Sequence, residues 1–336
     1  MNQPFFSVVI PSYNRAKTIH RTLDSCLAQS FRDFEIVIVD DDKSTDDMTA
    51  AVAPYRDRLD IELVLDHAGK AGAARNTGVR LAKGRFIAFL DADDEWLPTK
   101  LELCHSRLQA EPGTLFYSQN VVDRGVGKYW LKPSRGLGAD ESIYDYLFYE
   151  KGWIHPTSTV VAVDIARAHP FTAEISFVDD TKFAVDVWRS GVPMKMLDEP
   201  TTIYYDPYEP GRLSQASAFD REANPEQLAF FAWMESLRSD MSERAWLGYL
   251  SFWRSRLTAH ATPWQSLKEV WRVGLYGPAS MKKCVMQTLQ SFTPHFYRRL
   301  CDLAVRFKGY DTVPEAVASG TTAPIESVPD AVPVSQ

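Results

Sequence analysis

The chain places carboxylates where apolar runs end. Phe89–Pro98 reads FLDADDEWLP: a hydrophobic run stops at Asp91, and Asp93, Asp94 and Glu95 follow. Carboxylates one residue apart at the end of a strand can converge on a hard divalent cation, Mg2+ or Mn2+, whose remaining oxygen ligands a nucleotide diphosphate supplies. Like charges this close also repel and call for a compensating cation. A second run, IVIVDDDKSTDD, ends in Asp40, Asp41 and Asp42. A carboxylate there can accept the ring N–H of uracil or guanine, or ribose hydroxyls. Ser44 and Asp46 are explained more simply as caps of the next helix. A third segment, Pro11-Ser12-Tyr13-Asn14-Arg15, offers Tyr13 to stack on a base and Arg15 to meet phosphate. Taken singly, each segment also reads as an ordinary solvated turn.

The elements that must position these residues alternate. Apolar runs at 5–11, 34–40, 61–66 and 86–90 read as buried strands. Helical patterns follow at 18–29, 46–53, 71–83 and 98–110. Gly84 stops the third helix and Pro98 opens the fourth. This alternation predicts an α/β fold, a mostly parallel sheet covered on both faces. Ligands bind beyond the carboxyl ends of such strands, which singles out 12–15, 40–44, 66–72 and 91–96. Farther on, 143–150 and 180–190 read as helices, and 157–163, 195–197 and 203–205 as strands. Residues 206–217 form a Pro/Gly loop.

The combination resembles glycosyltransferase family 2, with its GT-A fold, a Rossmann-like αβα sandwich. SVVIPSYNRAKTIHRTLDSCLAQSFRDFEIVIVDDDKSTDD is similar to that family's nucleotide-binding opening, and AGKAGAARNTGVRLAKGRFIAFLDADDEWLPTKLE to its helix-strand-DxD module. The resemblance covers roughly residues 6–205. It implies that Asp41 holds the base of a nucleotide-sugar donor, supported by Asp40, with Pro11, Tyr13, Asn14 and Arg15 beside it. Asp91 would face ribose or metal, Ala92 would lie in the donor pocket, and Asp93 would ligate Mg2+ or Mn2+ directly. Arg75 and Asn76, in AARN, would line the nucleotide pocket. Lys43 departs from the family's usual Gly, which leaves the part played by Asp42 open. The family places a general base at the start of a later helix. Here Val178-Asp179-Asp180 matches, with Asp180 as the base and Asp179 a weaker acceptor-side candidate. Arg212 and Ser214 fall where family members have a loop that closes on the diphosphate. Trp153 and His155, in GWIHPTS, precede a strand on the expected acceptor side. Trp153 could stack on a sugar face, although a core Trp and a satisfied His are the plainer reading.

The expected organisation is a GT-A domain over 1–215, with a nucleotide-binding half (1–123) and an acceptor half (124–215). A basic, aromatic helical region (216–310) and a disordered Pro/Ser/Thr-rich tail (311–336) follow. Between Arg244 and Lys308 there are eleven Lys/Arg against only Glu269 and Asp302, interleaved with aromatics such as Trp246, Trp253, Trp264 and Phe296. Such a segment suits an anionic membrane surface, or else a small helical core with a solvated face. The whole chain carries −7, and no recognition motif accompanies its basic segment, so nucleic acid is not expected as a partner. The four cysteines match no metal or redox spacing and read as reduced core residues. There is no signal-peptide pattern at Met1–Phe6 and no apolar stretch long enough to span a bilayer. The expected setting is therefore cytoplasmic, peripheral at the inner face of the membrane. The expected reaction is inverting transfer from a nucleotide-sugar, UDP-sugar favoured, to a glycan or lipid-linked acceptor in polysaccharide assembly. Two competing readings are a sugar nucleotidyltransferase, which usually carries a Gly-rich phosphate loop where this chain has SYNR, and a non-catalytic GT-A-like binding module.

Overall fold

The structure is a computed structural model that describes residues 3–207, 224–276 and 278–313. Its centre is a seven-stranded sheet built from β1 (Phe6–Ser12), β2 (Phe34–Asp41), β3 (Ile61–Asp66), β4 (Phe86–Phe89), β6 (Leu115–Tyr117), β9 (Val160–Ala162) and β10 (Met194–Met196). The spatial order is β10-β6-β9-β4-β1-β2-β3. Every pairing is parallel except those of β9, which runs antiparallel to both neighbours. All seven residues of β1 are buried, as a central strand covered on both faces requires. The intervening helices are α1 (Ile19–Leu27), α2 (Met48–Val52), α3 (Ala71–Leu81), α4 (Lys100–Ala110), α5 (Val163–Ala168) and α6 (Asp179–Arg189).

A second sheet has four strands: β5 (Glu95–Trp96), β11 (Thr202–Tyr205), β7 (Asn120–Asp123) and β8 (Tyr129–Lys132), in that order. Three details differ from the sequence reading. The fourth helix begins at Lys100, because Glu95–Trp96 first pair with β11. The strand expected over 157–163 is β9 flanked by a 3-10 turn at Pro156–Ser158 and by α5. The helix expected over 143–150 is a π turn at Asp145–Tyr149, in which the Glu150 N–H donates to the Asp145 carbonyl at 2.9 Å.

The C-terminal helices are α7 (Pro225–Ser236), α8 (Glu243–Tyr249), α9 (Ser255–Thr258), α10 (Pro263–Arg272), α11 (Pro278–Phe292) and α12 (Pro294–Lys308). Part of them shares the core of the central sheet, and Phe252, Val270, Val273 and Cys284 make a further cluster with Tyr149. Phe230, Met234 and Tyr249 are buried in the same apolar cluster as Phe89, Phe183 and Val185. Asn224 caps α7 by accepting from the Gln227 N–H at 2.9 Å. α12 lies on the second sheet, where Tyr297, Cys301 and Val305 pack with Val122 and Trp130. All four cysteines are buried free thiols. None of the described helices is long and apolar enough to cross a membrane.

Candidate active site

The loop after β1 joins two neighbouring strand ends. β1 lies between β2 and β4, so residues following all three emerge at one sheet edge. On the β2 side, the Asn14 N–H donates to Ser44 Oγ at 3.1 Å, and the Thr45 N–H donates to Asn14 Oδ1 at 2.7 Å. On the β4 side, Arg15 Nη2 lies 3.4 Å from Asp93 Oδ2. Pro11 is buried within β1, and Tyr13 projects outward, exposed. Asn14 takes φ 53°, a turn conformation its side chain tolerates better than most.

Asp40 and Asp41 are both buried at the end of β2. Burial pushes the Asp40 carboxyl above its usual range, while hydrogen bonds such as that from Ser44 Oγ, at 3.0 Å, oppose the shift. Asp41 accepts backbone N–H bonds from Lys43, at 3.0 Å, and from Gly69. Gly69 sits at φ +66°, which favours glycine, so the loop after β3 folds back onto this acid at low cost. Asp42 instead faces His67 at 2.8 Å on the surface.

The acids after β4 separate into distinct environments. Asp91 Oδ1 meets Arg75 Nη2 at 2.7 Å, Asp93 faces Arg15, and Glu95 accepts from the Tyr205 hydroxyl at 2.8 Å. Asp94 turns inward and is fully buried; its two oxygens accept from Thr157 Oγ1 at 2.7 Å and the Tyr205 N–H at 3.1 Å. Burial, then the neighbouring charges of Asp93 and Asp91, push its carboxyl well above the ordinary range, toward the neutral acid. Protein cations thus already relieve much of the repulsion expected among these residues. Ala92 is buried, and its carbonyl accepts from Thr18 Oγ1 at 2.9 Å.

Arg75 ties this strand end to the start of α6. Its buried guanidinium also reaches Asp179 Oδ2 at 3.1 Å. Burial opposes its charge, but Asp91 and Asp179 hold it protonated above its ordinary value. Burial pushes the Asp179 carboxyl up to about 7, against the pull of Arg75. Gly72 makes this approach feasible: a Cβ there would stand 2.7 Å from Asp179 Oδ2. Asp180, also buried, follows in the first turn of α6 and accepts from the Thr181 N–H. Asn76 is engaged elsewhere, since its amide exchanges two 2.8 Å hydrogen bonds with the backbone of Phe171. Arg212 and Ser214 lie outside the described residues.

On the other flank, His155 Nε2 is 3.8 Å from Asp91 Oδ2. Trp153, His155 and Tyr204 pack ring against ring, with centroids 4.9 to 5.1 Å apart. Ligand-type atoms of Asp91, Asp94 and His155 lie within 4.8 Å of one another. Both oxygens of Asp94 are taken, whereas the carboxylates of Asp91 and Asp93 are part-exposed and His155 is buried beside Asp91. The carboxylates of Asp91 and Asp93 are hard oxygen donors of the kind that Mg2+ or Mn2+ takes. The sequence reading did not foresee Thr157, Arg21 or Tyr205 as supports. Arg21 donates to the Asp93 carbonyl and stacks 3.8 Å over the Tyr205 ring. No local pattern announces such contacts, which join segments far apart in the chain.

The glycosyl transferase family 2 model matches residues 7–168. The amylovoran biosynthesis glycosyltransferase AmsB of Erwinia amylovora is 35% identical over 212 residues, which are 60% of this chain and 69% of that protein. The chain belongs to glycosyl transferase family 2. It is therefore a glycosyltransferase. Another similar protein is Escherichia coli WfaP, a UDP-Glc:alpha-D-GlcNAc-diphosphoundecaprenol beta-1,3-glucosyltransferase. It is 36% identical over 136 residues, 40% of this chain and 54% of that one. Among solved structures, Staphylococcus aureus TarS 1-349 in complex with UDP-GlcNAc aligns with TM-score 0.58 at 20% identity, over 88% of this chain and 91% of that chain. The mannosyltransferase PcManGT of Pyrobaculum calidifontis, in complex with GDP-Man and Mn2+, aligns with TM-score 0.54 at 18% identity, over 91% and 88%. These likenesses establish the GT-A fold of this family 2 member.

Proposed function

We propose that this family 2 enzyme transfers a sugar, with inversion, from a UDP-sugar to a saccharide acceptor carried on a glycan or a lipid, in polysaccharide assembly. The observation that carries the reading is the Arg75 bridge, 2.7 Å to Asp91 and 3.1 Å to Asp179. It makes one polar centre of the strand end suited to a nucleotide diphosphate and the helix start suited to a base. In this reading Asp41 and Asp40 take the base and ribose, with Pro11, Tyr13 and Asn14 forming the wall beside them. Arg15 serves phosphate, Asn76 positions Phe171 beneath Arg75, and Arg212 belongs to a closing loop. Asp91 and Asp93, with His155, would hold Mg2+ or Mn2+. When bound, the metal neutralises negative charge on the leaving diphosphate. Asp180 deprotonates the acceptor hydroxyl as it attacks the anomeric carbon from the face opposite the diphosphate. Asp179, held by Arg75, orients that helix start. Trp153 forms the acceptor wall.

AmsB and WfaP are named for polysaccharide biosynthesis and for a diphosphoundecaprenol-linked acceptor, and this supports the acceptor class. A cytoplasmic protein held at the inner membrane face fits the C-terminal helices. Leu275, Phe307 and Trp264 are 87%, 81% and 78% exposed, among exposed Lys268, Arg272, Lys282, Arg306 and Lys308.

A thermal-shift panel of UDP-, GDP- and dTDP-sugars, with and without Mn2+, tests the donor assignment. A ligand at about 100 times its Kd adds about 2.7 kcal/mol to apparent stability. The expected result is a shift with UDP-sugar that needs Mn2+ and is lost in Asp93→Ala. A flat panel under both conditions would refute the assignment.

A further inference from the structure

A carboxylate from the C-terminal helices ties the donor side of the centre to the base side. Glu226 lies in the first turn of α7, beyond residues 7–168 that the family model matches. Its Oε1 meets Lys70 Nζ at 2.7 Å. Its Oε2 accepts from the Ser176 N–H at 2.9 Å and from Ser176 Oγ at 2.6 Å. Lys70 Nζ also donates to the Ala173 carbonyl at 2.9 Å. Three segments far apart in the chain converge here: the loop after β3, the stretch before α6 and the start of α7.

Two of these segments lead directly to residues of the centre. Lys70 follows Gly69, whose N–H donates to Asp41, and precedes α3, which carries Arg75. Ser176 opens the 3-10 turn Ser176–Val178, and Asp179 and Asp180 come next. α7 grips that turn a second time, since Phe230 meets Phe177 edge to face with centroids 5.5 Å apart. The starts of α3 and α6 are thus joined twice. In the buried interior Arg75 reaches Asp179, with Gly72 leaving room for the carboxylate. Nearer the surface Lys70 and Glu226 span the same gap, their side chains 33% and 29% exposed. Burial opposes the Glu226 charge, but hydrogen bonds from Lys70 and Ser176 hold its carboxyl below the usual range. A pair exposed to this degree adds little to folding stability. What its charge-assisted hydrogen bonds fix is the spacing of the segments they join.

We propose that Lys70 and Glu226 are a positioning pair, a clasp that sets the start of α6, and with it Asp180, relative to the nucleotide pocket at Asp41. A nucleotide seated against Asp41 steadies the Gly69–Lys70 loop, and the clasp passes that order to the turn before the base. The inference rests on the donor and base assignments of the proposed function, and it adds a residue of α7 to the machinery they describe.

Amide hydrogen exchange of the full chain, free and with UDP and Mn2+, tests the clasp. In the free protein, Glu226→Ala and Lys70→Met should each speed exchange over 172–181 by about tenfold, the size of one lost charge-assisted hydrogen bond. The double variant should do no more than either alone, because both changes break one unit. With UDP and Mn2+, wild type should gain protection over both 66–72 and 172–181, and either variant over 66–72 only. Lys70→Arg, which keeps the charge and the reach, should retain both. A merely structural pair would not separate the two segments in this way. Exchange that speeds up equally throughout the chain would mean general loss of stability and overturn the proposal. So would nucleotide protection over 172–181 that survives Glu226→Ala, since the Arg75 bridge would then suffice. If calorimetry shows no UDP binding to wild type, the donor reading falls, and the clasp is judged on the free protein, where unchanged exchange over 172–181 in Lys70→Met overturns it.

Discussion

Asp179 and Asp180 are chain neighbours with different surroundings. Asp179 is fixed by Arg75, while Asp180 stands buried in the first turn of α6 and accepts from the Thr181 N–H. If Asp180 is the base, Asp180→Asn keeps shape and donor contacts but cannot take the acceptor proton. Transfer should fall by about 10²-fold or more, with the UDP-sugar thermal shift unchanged; radiolabelled-sugar transfer measures the first and a melt the second. Transfer close to wild type would remove Asp180 from that role. At this scale the acids were legible, because Asp40, Asp41, Asp91 and Asp93 end apolar runs. Their partners were less so. Asp94 looks from sequence like its neighbours, and only tertiary burial against Thr157 and Tyr205 sets it apart. Asn76 sits beside Arg75 in the chain, yet its amide faces Phe171.

The start of α4 shows a functional edge held by a costly group. Lys100 is fully buried and donates to the Ser158 carbonyl at 3.1 Å and to Thr201 Oγ1 at 3.2 Å, tying α4 to the turn before β9 and to β11. Burial pushes its ammonium down to about 8. Between about 8 and 10.4 the unfolded chain keeps a proton that the folded chain has released, so stability rises with pH across this window. Below it both states are protonated and the burial cost, about 3 kcal/mol, is fully present. Lys100→Met should remove this rise, seen by comparing urea unfolding of both proteins from about pH 7 to 10. Parallel curves would contradict the account. The strands before Asp91 were readable from their apolar runs. The β7–β8 hairpin was not, because Asp123, Arg124 and Lys128 interrupt its alternation and it depends on β11, far along the chain.

Across the whole molecule, the basic helical segment divides its aromatics. Tyr249, Phe252 and Tyr297 are core, whereas Trp264, Phe296 and Phe307 stay exposed among Lys and Arg. Composition alone left a membrane-facing surface and a helical core open, and burial differs from one aromatic of this segment to the next. Exposed basic residues near an anionic bilayer contribute about 1 kcal/mol each. The protein should therefore co-sediment with phosphatidylglycerol vesicles at low salt and not with phosphatidylcholine vesicles. Failure to bind the anionic vesicles would remove the membrane from the account. In the proposed reading, acids from separate strand ends serve one donor, with the loop after β1 bridging them through Asn14 and Arg15. A crystal grown with UDP and Mn2+, with the metal located by anomalous scattering, tests this most directly. The account predicts a single Mn2+ peak about 2.1 Å from an Asp93 oxygen, a typical distance for a small divalent ion, with uracil against Asp41. A peak away from Asp91 and Asp93, or a nucleotide bound elsewhere on the protein, would contradict it.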